Sequence, residues 1–355
     1  MNKKLKVGLI GLGGILKTAH MIGYKEFEDV EIAAVCDISP EKIELFKKEF
    51  NMPDVKSFTD YNELLETEGL DFVDICTPNY LHSLVAVKAL NKGLHVFCEK
   101  PDAVSVEEAI KMQEAAEKSG KHLMVMRNNR FRSTSRYLKQ YISEGKAGEI
   151  YCGRCGWQRR RGIPGKGGWF TTKAQSGGGP LIDLGVHMID LAIWLMGNPV
   201  PVSVSGCTYT KFADSDISDS VHSSFGEKKD DGIFDVEDLA MGFIRFDNGA
   251  CLQIEFSWAS NIEKENVFVE LRGTKAGINF KQDGLKIFEE DCGVLEDVLP
   301  LVTETPPDHP KNIRHFINVL QGKEEPDFVP TQGVNMIKIL EAMYKSAESG
   351  AEVRL

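Results

Sequence analysis

The sequence has no excess of positive charge. Its 355 residues include 42 Lys and Arg against 53 Asp and Glu, which gives a formal net charge of −11 at pH 7. A protein that binds nucleic acid generally needs a basic surface that displaces counterions from the phosphates. The composition therefore argues against a nucleic-acid partner, although it leaves room for a local basic pocket.

Long apolar runs and secretion signals are also missing. We find no uninterrupted apolar stretch of the roughly 18 residues that a membrane span requires. The N-terminal MNKKLKVGLIGLGGIL superficially resembles a signal peptide, but glycines interrupt the apolar run and no small-x-small cleavage site follows. The eight cysteines fit buried free thiols better than a disulfide framework. We therefore expect a cytoplasmic protein with no membrane partner.

Short apolar strands alternate with helical segments in the first third of the chain. One helix opens at Ser39-Pro40, with proline in its first turn. This alternation predicts a parallel, doubly wound sheet whose strands are apolar throughout, because helices cover both faces. We assign residues 1–126 to this domain. The predicted strands are residues 5–10, 31–36, 72–76, 95–98 and 123–126.

The pattern changes after about residue 127. A helix is predicted at about 181–196, and the chain to about 290 is mostly strand-like, with a polar excursion at 211–236. Asp247-Asn248-Gly249 predicts a hairpin turn, since Asn-Gly tolerates positive φ angles. We expect residues 127–355 to form an α/β domain with a large, open, mostly antiparallel sheet, whose closing helices can pack back on the first domain.

A glycine motif follows the first strand. Gly11 allows a tight turn, and Gly13 lets the backbone approach a pyrophosphate at the helix N-terminus. Leu16 stands at the third position of the fingerprint, where Gly or Ala is usual, and this suggests a wider contact between the helix and the strand. The alternative is a purely structural turn. The cofactor-binding segment is predicted to comprise Gly11, Gly13, Gly14, Ile15 and Leu16.

Asp37 ends the second strand, 24 residues after Gly13. A carboxylate there accepts hydrogen bonds from the ribose hydroxyls of NAD and repels the 2′-phosphate of NADP. A solvated turn residue or a helix cap is the alternative. We predict NAD as the cofactor.

Glu99-Lys100-Pro101 follows the predicted strand at 95–98. Ligands of such sheets bind at the carboxyl ends of the strands, and a lysine there can stabilise a developing alkoxide. The proline stiffens the turn and is compatible with a cis peptide bond. An exposed surface turn is the alternative.

Asp183 and His187 lie four residues apart, on one face of a predicted helix. Histidine is the natural general base near neutral pH, and a nearby carboxylate can orient it. Asp190 is an alternative orienting group, and a core histidine bonded to a backbone carbonyl is the structural alternative. With one histidine in the cluster, we predict no metal.

Two further motifs have weaker functional interpretations. Cys152 and Cys155 resemble half of a zinc site, but no second pair exists and their side chains point apart on a strand. We interpret them as ordinary thiols. The cluster Arg159–Arg161 could bind an acidic or phosphorylated substrate. A solvated edge or an oligomer contact is the alternative.

Taken together, these motifs resemble the glucose–fructose oxidoreductase, inositol dehydrogenase and MocA family over nearly the whole chain. The resemblance is most specific for EKP at 99–101 combined with GGGPLIDLGVH at 177–187. Other matching segments are GLIGLGGI at 8–15, AVCD at 34–37, TPNYLH at 77–82, NNRF at 128–131, VEDLA at 236–240 and FDNG at 246–249.

The resemblance implies an NAD-dependent oxidoreductase that moves a hydride between nicotinamide and a hydroxyl carbon of a sugar, inositol or related polyol. His187 corresponds to the acid/base, Lys100 to the group that polarises the reacting oxygen, and Asp183 to their support. The family also implies a homodimer or homotetramer. Cofactor contacts correspond to Thr77, Pro78, Asn79, His82, Glu99 and Lys100, and substrate contacts to Lys100, Asn128, Asp183 and His187. We also predict substrate contacts for Trp157 and Arg159.

Two other functions occur among proteins of this kind. Some use NAD transiently, oxidising a sugar carbon to enable elimination, and act as glycosidases or lyases. Others are regulators that bind NAD without catalysis, and the joint presence of Lys100, Asp183 and His187 argues against that class.

Overall fold

The structure, a computed structural model, describes residues 4–281, 284–305 and 307–355. The first three residues, which begin both the apparent signal segment and the predicted first domain, lie outside the described part. The chain divides into two compact units. The first comprises residues 1–126 and 307–334, and the second comprises residues 127–306 and 335–355. The continuous second domain expected over 127–355 is thus interrupted where the chain returns to the first unit.

The first unit contains a parallel sheet with the order β3-β2-β1-β4-β5-β6. The predicted doubly wound parallel sheet is therefore confirmed. The short β3 was not predicted, because Lys-Ser-Phe provides no apolar run. The strands are β1 Leu5–Ile10, β2 Val30–Cys36, β3 Lys56–Phe58, β4 Phe72–Ile75, β5 His95–Cys98 and β6 Leu123–Val125.

The helices of the first unit follow the expected βα alternation. The helix at Ser39-Pro40 begins as predicted, since the Ser39 hydroxyl accepts the N–H of Lys42 over 3.3 Å. The helix from the C-terminal segment packs against the first helix of the chain, and so completes this unit. In chain order the helices are a π turn Leu16–His20, α1 Met21–Glu26, α2 Pro40–Glu49, α3 Tyr61–Leu64, a 3₁₀ turn Asn79–Leu81, α4 His82–Asn91, α5 Val106–Ser119 and α9 Asp308–Leu320.

The prediction that the parallel strands are apolar throughout is wrong at several positions, of which Asp74 is the fully buried one. The other polar residues in these strands are Lys6, Glu31, Lys56, Ser57 and His95. Asp74 lies in β4 and is fully buried, although the other residues of this strand are Phe72, Val73 and Ile75. A carboxylate in such a place needs hydrogen-bonding partners, and it has them in His20 and Tyr24.

The second unit contains a large sheet with the order β14-β13-β12-β11-β7-β10-β9-β8-β15. Neighbours are antiparallel except β7 and β10, which confirms the predicted mostly antiparallel sheet. The predicted β9–β10 hairpin forms, with Gly249 at a φ of +83°. The strands are β7 Ile150–Gln158, β8 Pro201–Tyr209, β9 Leu239–Phe246, β10 Cys251–Ser257, β11 Asn266–Gly273, β12 Ala276–Lys281, β13 Gly284–Asp291, β14 Val294–Val298 and β15 Val353–Arg354.

The helix predicted at about 181–196 opens with a π turn at Leu181–Gly185 and continues as α8 Val186–Leu195. We expected no segment that could span a membrane, but the helical stretch over residues 173–195 is long and apolar enough to do so by length and composition alone. Within the protein, 83% of that apolar window is buried. The remaining helices are α6 Ser133–Ser143, α7 Lys173–Ser176 and α10 Pro330–Ser349, with 3₁₀ turns at Asn128–Phe131, Trp169–Thr171 and Val221–Ser224.

Candidate active site

Gly11 holds the turn after β1 in a conformation that other residues avoid. Its φ is +93°, and its N–H donates to the carbonyl of Cys36 over 2.8 Å. A Cβ atom at this position would lie 2.5 Å from the carbonyl oxygen of Cys76, at the end of β4. The backbone itself therefore requires glycine here.

The space beside Gly13 is open. Among the described residues no heavy atom lies within 4 Å of a Cβ atom built on it, and Gly14 is exposed. A backbone that borders open space at the start of a helix can approach a pyrophosphate closely. The loop therefore fits the predicted dinucleotide.

Leu16 begins the first helix as a π turn. Its side chain is fully buried, at the position where Gly or Ala of the fingerprint would permit closer packing. The π geometry extends to His20 before α1 continues as an ordinary α-helix. The helix thus accommodates a leucine at this position.

Asp37 connects the end of β2 to the glycine loop. Its Oδ2 accepts the N–H of Leu12 over 2.9 Å, and its Oδ1 accepts the N–H of Ser39 over 3.0 Å. The residue is half-buried. Each carboxylate oxygen has a second lone pair, so the oriented carboxylate can still accept ribose hydroxyls.

The segment after β4 contains an unsatisfied polar atom. The Oγ1 of Thr77 is buried and has no hydrogen-bond partner in the part of the chain that is described. A buried hydroxyl without a partner is costly, which makes it a suitable contact for a bound polar ligand. Pro78 precedes the 3₁₀ turn that starts at Asn79. Contacts of these three residues with NAD stay predictions.

His82 connects two loops of the first unit. Its Nδ1 lies 2.7 Å from the carbonyl oxygen of Pro101, and its Nε2 lies 2.9 Å from that of Thr77. The ring is fully buried. The predicted cofactor contact of His82 stays a prediction, and the structure assigns the ring a role in holding the two loops.

Lys100 directly follows β5 and is half-buried, and the peptide bond to Pro101 is cis. Behind it, Glu99 is 5% exposed. One Glu99 oxygen lies 2.7 Å from Nε2 of His20, and the other accepts the N–H of Lys100 over 3.1 Å. Both oxygens are thus engaged inside the first unit, and the ribose contact of Glu99 stays a prediction. His20 was not predicted from sequence, because its partner Glu99 lies 79 residues away.

Asp183 and His187 are both half-buried, in the π turn and in the first turn of α8. Oδ2 of Asp183 accepts the indole N–H of Trp258 over 3.0 Å. The centre of the His187 ring lies 6.1 Å from that of Trp157 in β7. Trp258 was also missed, because nothing in the segment after β10 marks it as a donor to residue 183.

The indole of Trp157 lies at the centre of a mixed polar cluster. Its N–H donates to Oε1 of Glu265 over 2.6 Å, and the guanidinium of Arg159 lies 5.1 Å from the ring centre. The ring of His222, from the polar excursion, meets the indole edge-on at 6.1 Å, and its Nε2 is 3.5 Å from Glu265. His222 lowers the pKa of the Glu265 carboxyl, which therefore stays ionised.

The three arginines predicted as an anion site each have a partner within the protein, although Nε of Arg159 is buried without a hydrogen bond among the described residues. Arg159 is 5% exposed, donates to the carbonyl of Gly162 over 3.2 Å and has Glu265 at 3.8 Å. Arg160 pairs with Asp219, and Arg161 donates to the carbonyl of Ser260 over 2.8 Å. No substrate contact of Arg159 is tested by these distances, so it stays a prediction.

Asp190, the alternative orienting group for His187, pairs with two buried arginines. Its buried carboxylate accepts from Nε of Arg127 over 2.9 Å and from Nε of Arg130 over 2.8 Å. Although burial opposes ionisation, the two guanidinium groups hold the pKa of Asp190 below its ordinary value.

Glu237 fixes the start of the segment that carries Asp183. Its two carboxylate oxygens accept the N–H groups of Gly179 and Leu181 over 2.9 and 3.1 Å, and Tyr344 donates to it over 3.0 Å. Burial raises the pKa of Glu237, and these hydrogen bonds oppose the rise. Glu237 lies in the VEDLA segment of the family resemblance, but no role was predicted for it from sequence.

The second unit also contains Asn128 and the cysteine pair Cys152 and Cys155. Oδ1 of Asn128 is buried without a hydrogen-bond partner among the described residues, which suits a ligand contact. Cys155 is buried while Cys152 is half-buried, as expected for side chains that leave β7 on opposite faces. All eight cysteines are free.

Both units match known protein families. Residues 5–127 match a model described as "Oxidoreductase family, NAD-binding Rossmann fold", and residues 135–279 match the "GFO/IDH/MocA C-terminal domain". The chain is 33% identical to D-glucoside 3-dehydrogenase of Escherichia coli over 99% of this chain and 97% of that protein. It is 29% identical to glucose-6-phosphate 3-dehydrogenase of Bacillus subtilis, over 83% of this chain and 81% of that one.

Solved structures have the same fold. Levoglucosan dehydrogenase in complex with NADH and levoglucosan matches with a TM-score of 0.83 and 24% identity, over 99% of both chains. An oxidoreductase domain protein from Kribbella flavida matches with a TM-score of 0.86 and 23% identity, again over 99% of both. The glycine loop, the oriented Asp37 and the two family matches agree with one another, and the chain therefore belongs to the GFO/IDH/MocA family of oxidoreductases, with an NAD-binding Rossmann domain as its first unit.

Proposed function

We propose that this protein oxidises a secondary ring hydroxyl of an uncharged sugar, with carbon 3 of a glucoside as the preferred position. NAD, when bound, supplies the hydride acceptor. The relationship to a protein named D-glucoside 3-dehydrogenase supports this substrate class. The observation that carries the proposal is the half-buried His187 beside Trp157, in a chain whose other unit binds NAD.

His187 is proposed to take the hydroxyl proton. Loss of hydride from a carbinol carbon leaves a carbonyl only if the hydroxyl proton also leaves, and an imidazole is a suitable acceptor near neutral pH. Lys100 is proposed to donate a hydrogen bond to the same oxygen, which stabilises the negative charge that develops there. Asp183, oriented by Trp258, is proposed to hold a hydroxyl or the base in place.

Trp157 is proposed to support the sugar ring. A sugar presents C–H groups on its faces and hydroxyl groups around its edge, so an indole with polar neighbours suits both. The Glu265 carboxylate accepts from the indole N–H and can accept a sugar hydroxyl on its remaining lone pairs. Arg159 and His222 supply donors around the same ring.

The absence of phosphate in the proposed substrate follows from the arginine cluster. Arg159 has Glu265 beside it, and Arg160 pairs with Asp219. An entering phosphate would have to displace these carboxylates or lie close to them. A neutral sugar meets no such repulsion.

A panel of substrates tests the proposal by NADH absorbance. It should contain methyl β-glucoside, levoglucosan, glucose 6-phosphate and myo-inositol, each with NAD, and the product should be identified as a 3-keto sugar by NMR. We expect the uncharged glucoside to have the highest kcat/KM. Preference for glucose 6-phosphate or inositol, or a product formed without net NADH, would contradict the proposal. Arg160→Ala should leave the KM for the glucoside unchanged.

We also propose that two or four copies associate through the open face of the large sheet. Arg154, Gln253, Glu255 and Glu270 line a shallow depression there, and Arg154 pairs with Glu270. A patch with both signs of charge can be complementary to its own copy across a two-fold axis. Light scattering that gives a monomer mass at micromolar concentration would contradict this association.

The eight free thiols lead us to propose a reducing cytoplasmic location, which cell fractionation can test.

A further inference from the structure

A buried charged cluster lies behind Lys100 in the first unit. Asp74 and His20 are fully buried, and Glu99 is 5% exposed. They come from three separate elements: β4, the π turn after the glycine loop, and the end of β5. Ionised groups removed from water are strongly destabilising unless they are paired and hydrogen-bonded. The cluster is therefore a feature that the fold maintains at a cost in free energy.

Both ring nitrogens of His20 face carboxylate oxygens. Nδ1 lies 2.7 Å from Oδ2 of Asp74, and Nε2 lies 2.7 Å from Oε1 of Glu99. An ionised carboxylate only accepts hydrogen bonds, and a neutral imidazole has a single N–H donor. Two ionised carboxylates at these distances therefore require the imidazolium, which donates from both nitrogens.

The surrounding groups are consistent with a charged His20. Although burial opposes it, the Asp74 carboxylate raises the pKa of His20 well above its ordinary value. Burial likewise opposes ionisation of Glu99, yet the hydrogen bond from His20 lowers its pKa to about 2. Burial raises the pKa of Cys76, and burial with the nearby positive charges lowers the pKa of His309 to about 4. Cys76 is therefore a thiol and His309 a neutral ring.

The hydrogen bonds continue from His20 to the backbone of Lys100. The second oxygen of Glu99 accepts the Lys100 N–H over 3.1 Å. On the other side of Lys100, the carbonyl of Pro101 lies 2.7 Å from His82. The backbone that carries the lysine is thus held at both ends, and one of the two holds depends on His20.

We propose that His20 is a positioning residue: a buried imidazolium that bridges Asp74 and Glu99 and thereby fixes the backbone from which Lys100 reaches its substrate. The proposal rests on the role proposed above for Lys100. His20 touches neither substrate nor the reacting atoms in this scheme, and it acts through Glu99.

A metal ion is the competing occupant of this cluster. One ligand atom each from His20, Asp74 and Cys76 lie within 4.8 Å of one another. However, both nitrogens of His20 already face carboxylate oxygens at hydrogen-bond distance, and Tyr24 donates to Asp74 over 2.9 Å. These contacts favour a proton between the groups over a metal.

The protonation state can be measured on the wild-type enzyme by NMR of ¹⁵N-labelled histidine, with signals assigned by their loss in single histidine variants. We expect both ring nitrogens of His20 to remain protonated throughout and above the ordinary titration range of histidine. A neutral tautomer at pH 7 would overturn the proposal. Stoichiometric zinc in the purified protein, with loss of the imidazolium signal, would overturn it in favour of the metal.

Variants test the connection to Lys100. His20→Gln keeps one donor and should lower kcat about 10- to 100-fold through displacement of Lys100, with the affinity for NAD largely retained. Glu99→Gln should have a similar effect, and the double variant should cost little more than either change. His122→Gln is the matched control, since His122 is exposed immediately before β6.

The outcomes separate the two proposals. A folded His20→Gln enzyme with wild-type kcat would overturn the positioning role, whatever the substrate is. If the wild-type enzyme oxidises no sugar, the proposed function fails, while the NMR measurement still decides whether the imidazolium bridge exists. If His20→Gln does not fold, the wild-type titration alone decides.

Discussion

The indole N–H of Trp258 donates a 3.0 Å hydrogen bond to Oδ2 of Asp183. The tryptophan is fully buried, and Asp183 is half-buried. A rigid donor behind the carboxylate fixes the position of this oxygen. The tryptophan that ends the β10 segment is therefore part of the candidate site, although its ring lies inside the protein.

Replacing this donor should lower activity more than stability. Trp258→Phe keeps an aromatic ring but leaves Asp183 without the indole hydrogen bond, so we expect kcat to fall about tenfold, in line with the ~1.5–3 kcal/mol of a hydrogen bond to a charged group. Steady-state kinetics at saturating NAD measure the effect. Trp194→Phe is the control for loss of a buried indole. Equal kcat losses in both variants would show that the Asp183 contact has no special role.

The proposed acid/base pair predicts strongly non-additive kinetics. His187→Ala should lower kcat by ~10²–10⁴, because a positioned base is lost, and Lys100→Ala should also lower it steeply. If both groups act on one oxygen, as proposed, the double variant should lower kcat far less than the product of the two single losses. Single-turnover measurements of hydride transfer, with NAD binding as a control, check this. A His187→Ala enzyme with near-normal hydride transfer would show that another group is the base.

Cofactor selectivity should depend on Asp37. Its carboxylate is oriented by Leu12 and Ser39 and would repel a 2′-phosphate, so we expect clear preference for NAD over NADP. Asp37→Ala should reduce the difference in affinity between NAD and NADP, because it weakens the binding of NAD and removes the repulsion of the 2′-phosphate. Fluorescence titrations of both cofactors provide the dissociation constants. Equal affinities in the wild-type protein would contradict the assignment.

Asp190 should be important for stability. Asp190→Asn leaves two buried guanidinium groups without their counter-charge, and we expect a loss of about 3–5 kcal/mol in the free energy of unfolding. Because the pKa of Asp190 is lowered in the folded protein, the stabilisation by its carboxylate is fully present above the ordinary carboxyl pKa of about 3.9. This stabilisation is lost as pH falls through the folded-state pKa. Urea unfolding of the wild type and the variant at several pH values measures this difference in the free energy of unfolding.

A matched exposed pair serves as the comparison for Asp190. Asp219 pairs with Arg160 at the surface, so Asp219→Asn should cost less than about 1 kcal/mol. A similar loss in both variants at pH 7 would show that burial of the Asp190 pair adds nothing.

Local sequence signals predicted the parts of the site that depend on local structure. Gly11 and Asp37 follow directly from the strand–turn–helix order, and the β9–β10 hairpin follows from Asn248-Gly249. Pairings over long sequence distances were not predictable. Asp190 was matched by spacing to His187, whereas its partners are Arg127 and Arg130, about 60 residues earlier.

Asp74 illustrates the same limit in the first unit. A single carboxylate in a four-residue apolar strand gives no indication of its partner, because His20 lies 54 residues earlier, in the π turn after β1, and meets Asp74 only in the folded unit. Likewise, hydropathy alone could not distinguish residues 173–195 from a membrane span. Only their burial against the large sheet shows what covers them.

The position of β7 has a consequence for the order in which the chain can fold. This strand lies between β10 and β11, its parallel and antiparallel neighbours, and both are about 100 residues further along the chain. During synthesis β7 therefore leaves the ribosome with both edges unpaired, and such edges invite wrong pairing. The first unit also waits, because α9 emerges only after residue 307. Neither unit can close until most of the chain exists, so proteolysis of ribosome-stalled chains should find β7 protected only once β11 has emerged.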